Sequence, residues 1–375
     1  MTLPLSKLID VDDFDAPELA PYLQEIDALE SLRAGAGPAQ RVADSKQWQC
    51  AMTLRALDSQ RVASPGHLIA GIGAGTEATL FALARRGALV FAIDRYLERT
   101  AWSDVAPAGM LIDPPQYSPI DYPHGHVIPV HSSALALNLP SNTFDAVFSN
   151  GAIEHFGSLA NVSIAAQEIG RVLKPGGVAT IATEFRVDGP DDGRWFDDDM
   201  MLFTPELLQR HVVEASGLVQ RDALVTAQSD GTFESRRNLV DFPDAARSLL
   251  ALDEKRAASP SLVVYHDGFL FCPVVLTLFK EGPSADAGTA SDDRTRAQVR
   301  RENAALAAAL ERFQRTPDET GAAPGQHHML FGEVERLRTE NDALRALYDR
   351  SNAWKQWRAL RPARFVYRRI KRWRG

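Results

Sequence analysis

The sequence predicts an α/β fold, a parallel sheet with helices on both faces, followed by a helical, coiled-coil extension. Three observations predict it. From His67 onward short apolar runs alternate with helical segments, a glycine-rich turn joins the first run to a helix, and two heptad-spaced segments follow the last run. Strand-type and helix-type periodicity in alternation produces parallel strands joined through helices.

The strands are expected at 68–71, 90–94, 127–130, 146–149 and 178–183. Between the second and third lies 107–125, rich in proline and tyrosine (Pro114, Pro115, Tyr117, Pro119, Tyr122, Pro123), which reads either as a surface loop or as a substrate-contacting lid. Later, 263–265 and 269–279 flank His266-Asp267-Gly268, a turn, and would close the sheet, with Pro273 favouring an edge or a bulge. Ahead of the sheet, residues 1–60 read as helical, because apolar positions recur at helical spacing over 44–57; they form a cap over the core.

After Lys280 the composition shifts to Gly, Pro, Ser, Ala and Asp, a linker over 282–293 that ends the 61–281 domain. In the following 294–350, Val299, Asn303, Leu306, Leu310 and Phe313 form one heptad seam and Val334, Leu337, Asn341, Leu344 and Tyr348 a second. Each carries an asparagine at an a position, which selects register and partner number, so an interrupted, self-associating coiled coil is expected. Residues 351–375 carry nine Lys and Arg and no acid, against a formal net charge of −8 for the chain, so an acidic body bears a basic tail. In that tail Trp354, Trp357, Phe365, Val366, Ile370 and Trp373 lie among arginines, a composition suited to an anionic membrane surface. Nucleic acid is not expected as a partner, because the acidic body repels phosphate.

At 375 residues and 45% hydrophobic composition the chain has material for a large catalytic domain with appendages. Cys50 and Cys272 have no metal-type spacing and read as reduced thiols of a cytoplasmic protein. No apolar run is long enough to span a bilayer, which leaves peripheral association with the inner face of the cell membrane as the expected location.

Chemistry enters with Gly71-Ile72-Gly73-Ala74-Gly75-Thr76, placed between an apolar strand and a helix. Glycines there let the backbone approach a cofactor closely, and a helix N-terminus just beyond adds unpaired N–H groups. Asp94 ends the next strand about twenty residues on, where a carboxylate can accept both hydroxyls of a ribose. Two further stretches complete the set: 139–155, from Leu139-Pro140 through Phe144-Asp145 to Glu154-His155, and 168–177, ending Leu173-Lys174-Pro175-Gly176-Gly177.

In this ordered set, and in Phe203-Thr204-Pro205-Glu206-Leu207 beyond it, the chain resembles class I S-adenosylmethionine-dependent methyltransferases over residues 60–220. The resemblance implies a Rossmann-like sheet and S-adenosylmethionine as cofactor. It implies that Gly71, Gly73 and Gly75 line the methionine end and Asp94 the ribose, with Ser133 beside the adenine and Asn150 in the same pocket. It also marks two departures, because the family often has acids where this chain has Ala70 and Ser133; Glu77 is a candidate replacement for the first. No metal is expected: the acids Asp191, Asp192, Asp197, Asp198 and Asp199 lack ordered ligand spacing and read as a solvated loop.

A hydroxyl acceptor is a poor nucleophile until its proton is taken, so oxygen methylation calls for a base beside the methyl group. His155 is the first candidate, against a plain role in the cofactor pocket or helix start; Glu154 and Glu184 are the others. His124 and His126 are candidate substrate contacts, and His327-His328 reads as inert. The basic terminal segment resembles enzymes that modify bacterial surface polysaccharides on lipid carriers, which implies a sugar hydroxyl of a cell-surface glycan or its lipid-linked precursor as acceptor. A small aromatic or quinone-like acceptor, or a methyltransferase-like scaffold without activity, are the alternatives.

Overall fold

The computed structural model describes residues 2–33, 44–98, 102–187, 195–196, 200–234, 237–238, 262–266 and 269–282. The chain divides into two units, and all of these residues fall in the first, 1–241 with 256–286. Outside the described residues lie the expected linker beyond Gly282, the coiled coil and the basic tail, together with Asp191, Asp192, Asp197, Asp198, Asp199, His327 and His328.

In chain order the elements begin with β1 (Lys7–Leu8), α1 (Ala20–Arg33), α2 (Ser45–Ser59), β2 (Leu68–Ile72), α3 (Ala78–Arg85), β3 (Leu89–Asp94) and β4 (Val127–His131). Then come β5 (Phe144–Asn150), α4 (Leu159–Val172), β6 (Leu173–Arg186), β7 (Trp195–Phe196), β8 (Met200–Met201) and α5 (Pro205–Leu208). They end with α6 (Asp230–Glu234), β9 (Arg237–Asn238), β10 (Val264–His266) and β11 (Phe269–Phe279).

The main sheet has the order β4-β3-β2-β5-β6-β11-β10-β9, with β1 added on β11; β7 and β8 pair separately. β2 to β6 run parallel, whereas β11 is antiparallel to β6. All five residues of β2 and the middle four of β3 are buried, the continuous apolar pattern of strands covered on both faces. From β2 the chain moves through α3 to β3 at one side, and from β5 through α4 to β6 at the other. Right-handed crossovers in opposite directions set α3 and α4 on opposite faces of the sheet. The reversal of order between β2 and β5 creates a crevice at their carboxyl ends, where open α/β sheets bind ligands.

Two expectations need correction. The N-terminal residues are helical over α1 and α2, but they also enter the sheet. Leu8 N donates to Val225 O (2.9 Å), Ile9 N donates to Pro273 O (3.0 Å), and Lys7 forms a buried ion pair with Asp13, whose carboxylate also accepts from Trp48 Nε1 (2.9 Å). A two-residue strand is too short to show a period, so only its partners define it. The second correction concerns Pro273, which sits opposite Glu184 inside the β6–β11 ladder rather than on an edge strand. In an extended residue N and C=O point to the same side, and Pro273 O faces Ile9; its missing N–H is therefore not asked of the β6 ladder.

Candidate active site at the switch-point crevice

The glycine side of the crevice is built from backbone. Gly73 and Gly75 have φ of +65° and +47°, the left-handed region where a side chain is strained. Space forbids one as well: a Cβ on Gly73 would meet Ala152 Cβ at 2.5 Å, and one on Gly75 would meet Val105 O at 2.3 Å. The turn is tied to the end of β3 by Gly73 N donating to Ile93 O (2.9 Å) and Gly75 N donating to Asp94 Oδ2 (2.8 Å). Arg95 N donates to the other carboxylate oxygen (2.7 Å), and Tyr96 OH donates to Gly75 O (2.8 Å). Burial pushes the Asp94 carboxyl above the usual carboxylate range, against the pull of these N–H donors. Asp94 thus stands beside the glycine turn, as the sequence spacing requires.

Ser133 lies just beyond β4, at the same edge; its Oγ accepts from Leu135 N (3.2 Å), and Ser132 N donates to Asp94 O (3.1 Å). Gly71 is inside β2, where a Cβ would strike the Phe148 ring at 2.6 Å, so the packing there leaves no room for a side chain. Ala70 is fully buried between Phe91 and Val147. The crevice takes its carboxylates from other positions.

Those positions are Glu77, Glu154 and Glu184. Glu77 stands at the N-terminus of α3, where its carboxylate pairs with Lys46 Nζ (3.1 Å) and accepts from Asn150 Nδ2 (3.0 Å). Asn150, the last residue of β5, also accepts at Oδ1 from Thr53 Oγ1 (2.8 Å) and at its backbone oxygen from Lys46 Nζ (2.5 Å). Its amide joins α2 to α3. Glu154 is buried after β5 and accepts from Thr183 Oγ1 (2.9 Å). Burial raises its carboxyl above the usual range. Glu184, near the end of β6, is pushed up to about 8 by burial and by the neighbouring Glu154, with Lys46 opposing. No side-chain hydrogen bond to the Glu184 carboxyl occurs among the described residues.

His155 follows Glu154 on a short 3-10 turn, and its ring lies against Trp102, centroids 4.4 Å apart and tilted by 49°. Trp102 is 37% exposed and begins a segment that crosses the glycine turn, with Thr76 Oγ1 donating to Val105 O (3.3 Å). Sequence reasoning missed this wall, as it missed Lys46 and Gln49 of α2; none of them belongs to a local motif.

The histidines of the proline-rich segment are elsewhere. His126 immediately precedes β4 and pairs its Nδ1 with Ala88 O (3.1 Å) at the amino ends of the strands, opposite the crevice. His124 lines a separate surface cavity of about 540 Å³ with Arg85 and Tyr122. Neither histidine reaches the switch point, because β4 carries the chain across the full sheet before its carboxyl end is reached.

Residues 70–181 match the family model described as Methyltransferase domain. The matched segment contains the glycine turn, Asp94, Asn150, Glu154 and His155, and ends three residues before Glu184. No curated protein matches the sequence significantly. Among solved structures, the chain is 19% identical to the [4+2]-cyclase SpnF, covering 71% of this chain and 94% of that one, with a TM-score of 0.41. It is 19% identical to the 1,6-didemethyltoxoflavin-N1-methyltransferase of Burkholderia thailandensis (71% and 91% covered, TM-score 0.37). Against the geranyl diphosphate C-methyltransferase of Streptomyces coelicolor identity is 12% (71% and 98% covered, TM-score 0.39). The fold assignment rests on strand order and register, to which these overlaps add nothing. Among the described residues no helix is long and apolar enough to cross a membrane.

Proposed function

We propose that the protein is an S-adenosylmethionine-dependent methyltransferase acting on a hydroxyl, that of a sugar in a cell-surface glycan or its lipid-linked precursor. The observation that carries the cofactor reading is the glycine turn fastened to Asp94 at the switch point, with the buried Glu154 and half-buried Glu184 carboxyls at the ends of the next two strands. The residues present fit the cofactor: the turn has no Cβ where the backbone must be approached, and Asp94 stands where ribose hydroxyls are accepted.

When bound, the cofactor supplies a methyl group already activated on a sulfonium, so the chain's own work is alignment and proton removal. Glu184 would take the proton of the acceptor hydroxyl as that oxygen is methylated, and its carboxyl would end protonated. A carboxyl raised to about 8 is a stronger base than an ordinary one, and the absence of hydrogen bonds from described residues leaves it available. Trp102 and His155 wall the crevice and position the acceptor.

The sugar assignment, self-association through the heptads and docking on the inner membrane surface come from residues 294–375 and the resemblance of their order to surface-polysaccharide enzymes. Calorimetry with S-adenosylhomocysteine tests the cofactor reading, which absence of binding overturns. Mass spectrometry of glycans from a deletion strain tests the acceptor: one methyl ether should disappear, and an unchanged profile removes the sugar. Truncation before Trp354 should release the protein from the membrane fraction.

A further inference from the structure

Gln49, on α2, is 3% exposed. Its Oε1 lies 3.4 Å from the point that a Cβ on Gly151 would occupy. Glu154 Oε1 and Lys46 Nζ lie 3.5 and 3.6 Å from that same point. One amide, one carboxyl and one ammonium thus converge on the side-chain position of a glycine at the carboxyl end of β5.

The arrangement is built by long-range packing. Asp44 caps α2, its carboxylate accepting from Lys46 N and Gln47 N, which fixes the first turn. Lys46 and Gln49 are three residues apart and so share a helix face. Gly151 follows β5 with φ +67°, the left-handed region that favours glycine. The neighbouring Ala152 is the residue against which Gly73 packs, so these three groups adjoin the glycine turn.

Their chemistry selects the ligand. An ammonium calls for an anion, whereas a carboxyl and an amide oxygen call for a cationic donor, and a group with both within a few ångströms is a zwitterion. We propose that Lys46, Gln49 and Glu154 seat the amino-acid end of the cofactor, Lys46 meeting its carboxylate and Gln49 and Glu154 its ammonium. The inference rests on the S-adenosylmethionine reading and deepens it. Helix α2 then supplies the contacts that Ala70 cannot, and half-exposed Lys46 keeps its pairing with Glu77.

The test is calorimetry on the full chain with two probes, S-adenosylhomocysteine and 5′-methylthioadenosine, which has the same nucleoside and lacks the amino-acid end. In both Gln49→Leu and Lys46→Met, affinity for S-adenosylhomocysteine should fall by about tenfold or more, the scale of a lost hydrogen bond to a charged group. Affinity for 5′-methylthioadenosine should stay at the wild-type value. Unchanged S-adenosylhomocysteine binding in either variant overturns the proposal, as does an equal loss for both probes. Lys46→Met alters a half-exposed side chain and remains informative if Gln49→Leu does not fold. Failure of the wild type to bind either probe overturns instead the cofactor reading beneath it.

Discussion

The two sides of the switch-point crevice are made differently. On the β2–β3 side a short loop is pinned by main-chain hydrogen bonds and by one aspartate nineteen residues away in sequence. On the β5–β6 side the groups come from α2, α3, β5 and β6, and Lys46 and Asn150 are separated by 104 residues. The first side is a shape in which anything larger than glycine fails. The second is a balance of charges in which each group sets the state of the next. Steric faults should therefore abolish binding outright on one side, while electrostatic faults should be graded and pH-dependent on the other.

The largest effect should come from the steric side. Gly73→Val places a branched side chain at φ +65° against Ala152, with strain of about 1–3 kcal/mol before any cofactor arrives. Binding of S-adenosylhomocysteine should vanish in calorimetry; retained affinity would show that the turn is not part of the pocket. On the charge side, Glu184→Gln should cut the turnover by about 10²–10⁴-fold while sparing cofactor affinity. Methyl transfer should rise with pH to a plateau above a midpoint near 8 in the wild type, and a flat profile would remove Glu184 as base.

The same group makes a stability prediction of defined sign. Its folded value of about 8 exceeds the unfolded 4.5, so the folded state binds the extra proton between them. Its contribution is fully present below pH 4.5 and is lost as pH rises through 8. Thermal melts of Glu184→Gln should accordingly gain on the wild type across that window, and parallel curves would refute the shift.

Asp94→Asn should have a smaller effect, because the amide keeps one acceptor oxygen for Gly75 N or Arg95 N and loses the other acceptor together with the charge. A fall of about tenfold in S-adenosylhomocysteine affinity is expected, read by the same titration. Smallest is Thr183→Val, which removes the donor to Glu154 and should cost about 1–3 kcal/mol in denaturant unfolding. A neutral result would mean that the buried carboxyl finds another donor.

The comparison also separates what was legible. Gly73, Gly75 and Asp94 were legible because glycine conformations and strand ends follow from residues within one βαβ unit. Glu154 and Glu184 were legible as positions at strand ends, but the link between Glu154 and Glu184 was not, since nothing in either segment encodes the other. For Asn150 the sequence placed the residue at the end of its strand, but not the bonds by which its amide joins α2 to α3, since those partners lie 97 and 73 residues away. His124 and His126 were misplaced because proximity in sequence to a strand does not tell which end of it faces the ligand.

By itself, then, the sequence determined the alternating α/β pattern, the glycine turn, the aspartate that closes it and the apolar runs that became β2 to β6 and β11. These depend on local propensity and on periods that a few neighbouring residues define. Only the tertiary structure decided that β1 enters the sheet, that Pro273 is tolerated beside β6, and that α2 brings Lys46 and Gln49 to Gly151. Those outcomes depend on hydrogen bonds and burial between segments far apart in sequence, where spacing sets no geometry.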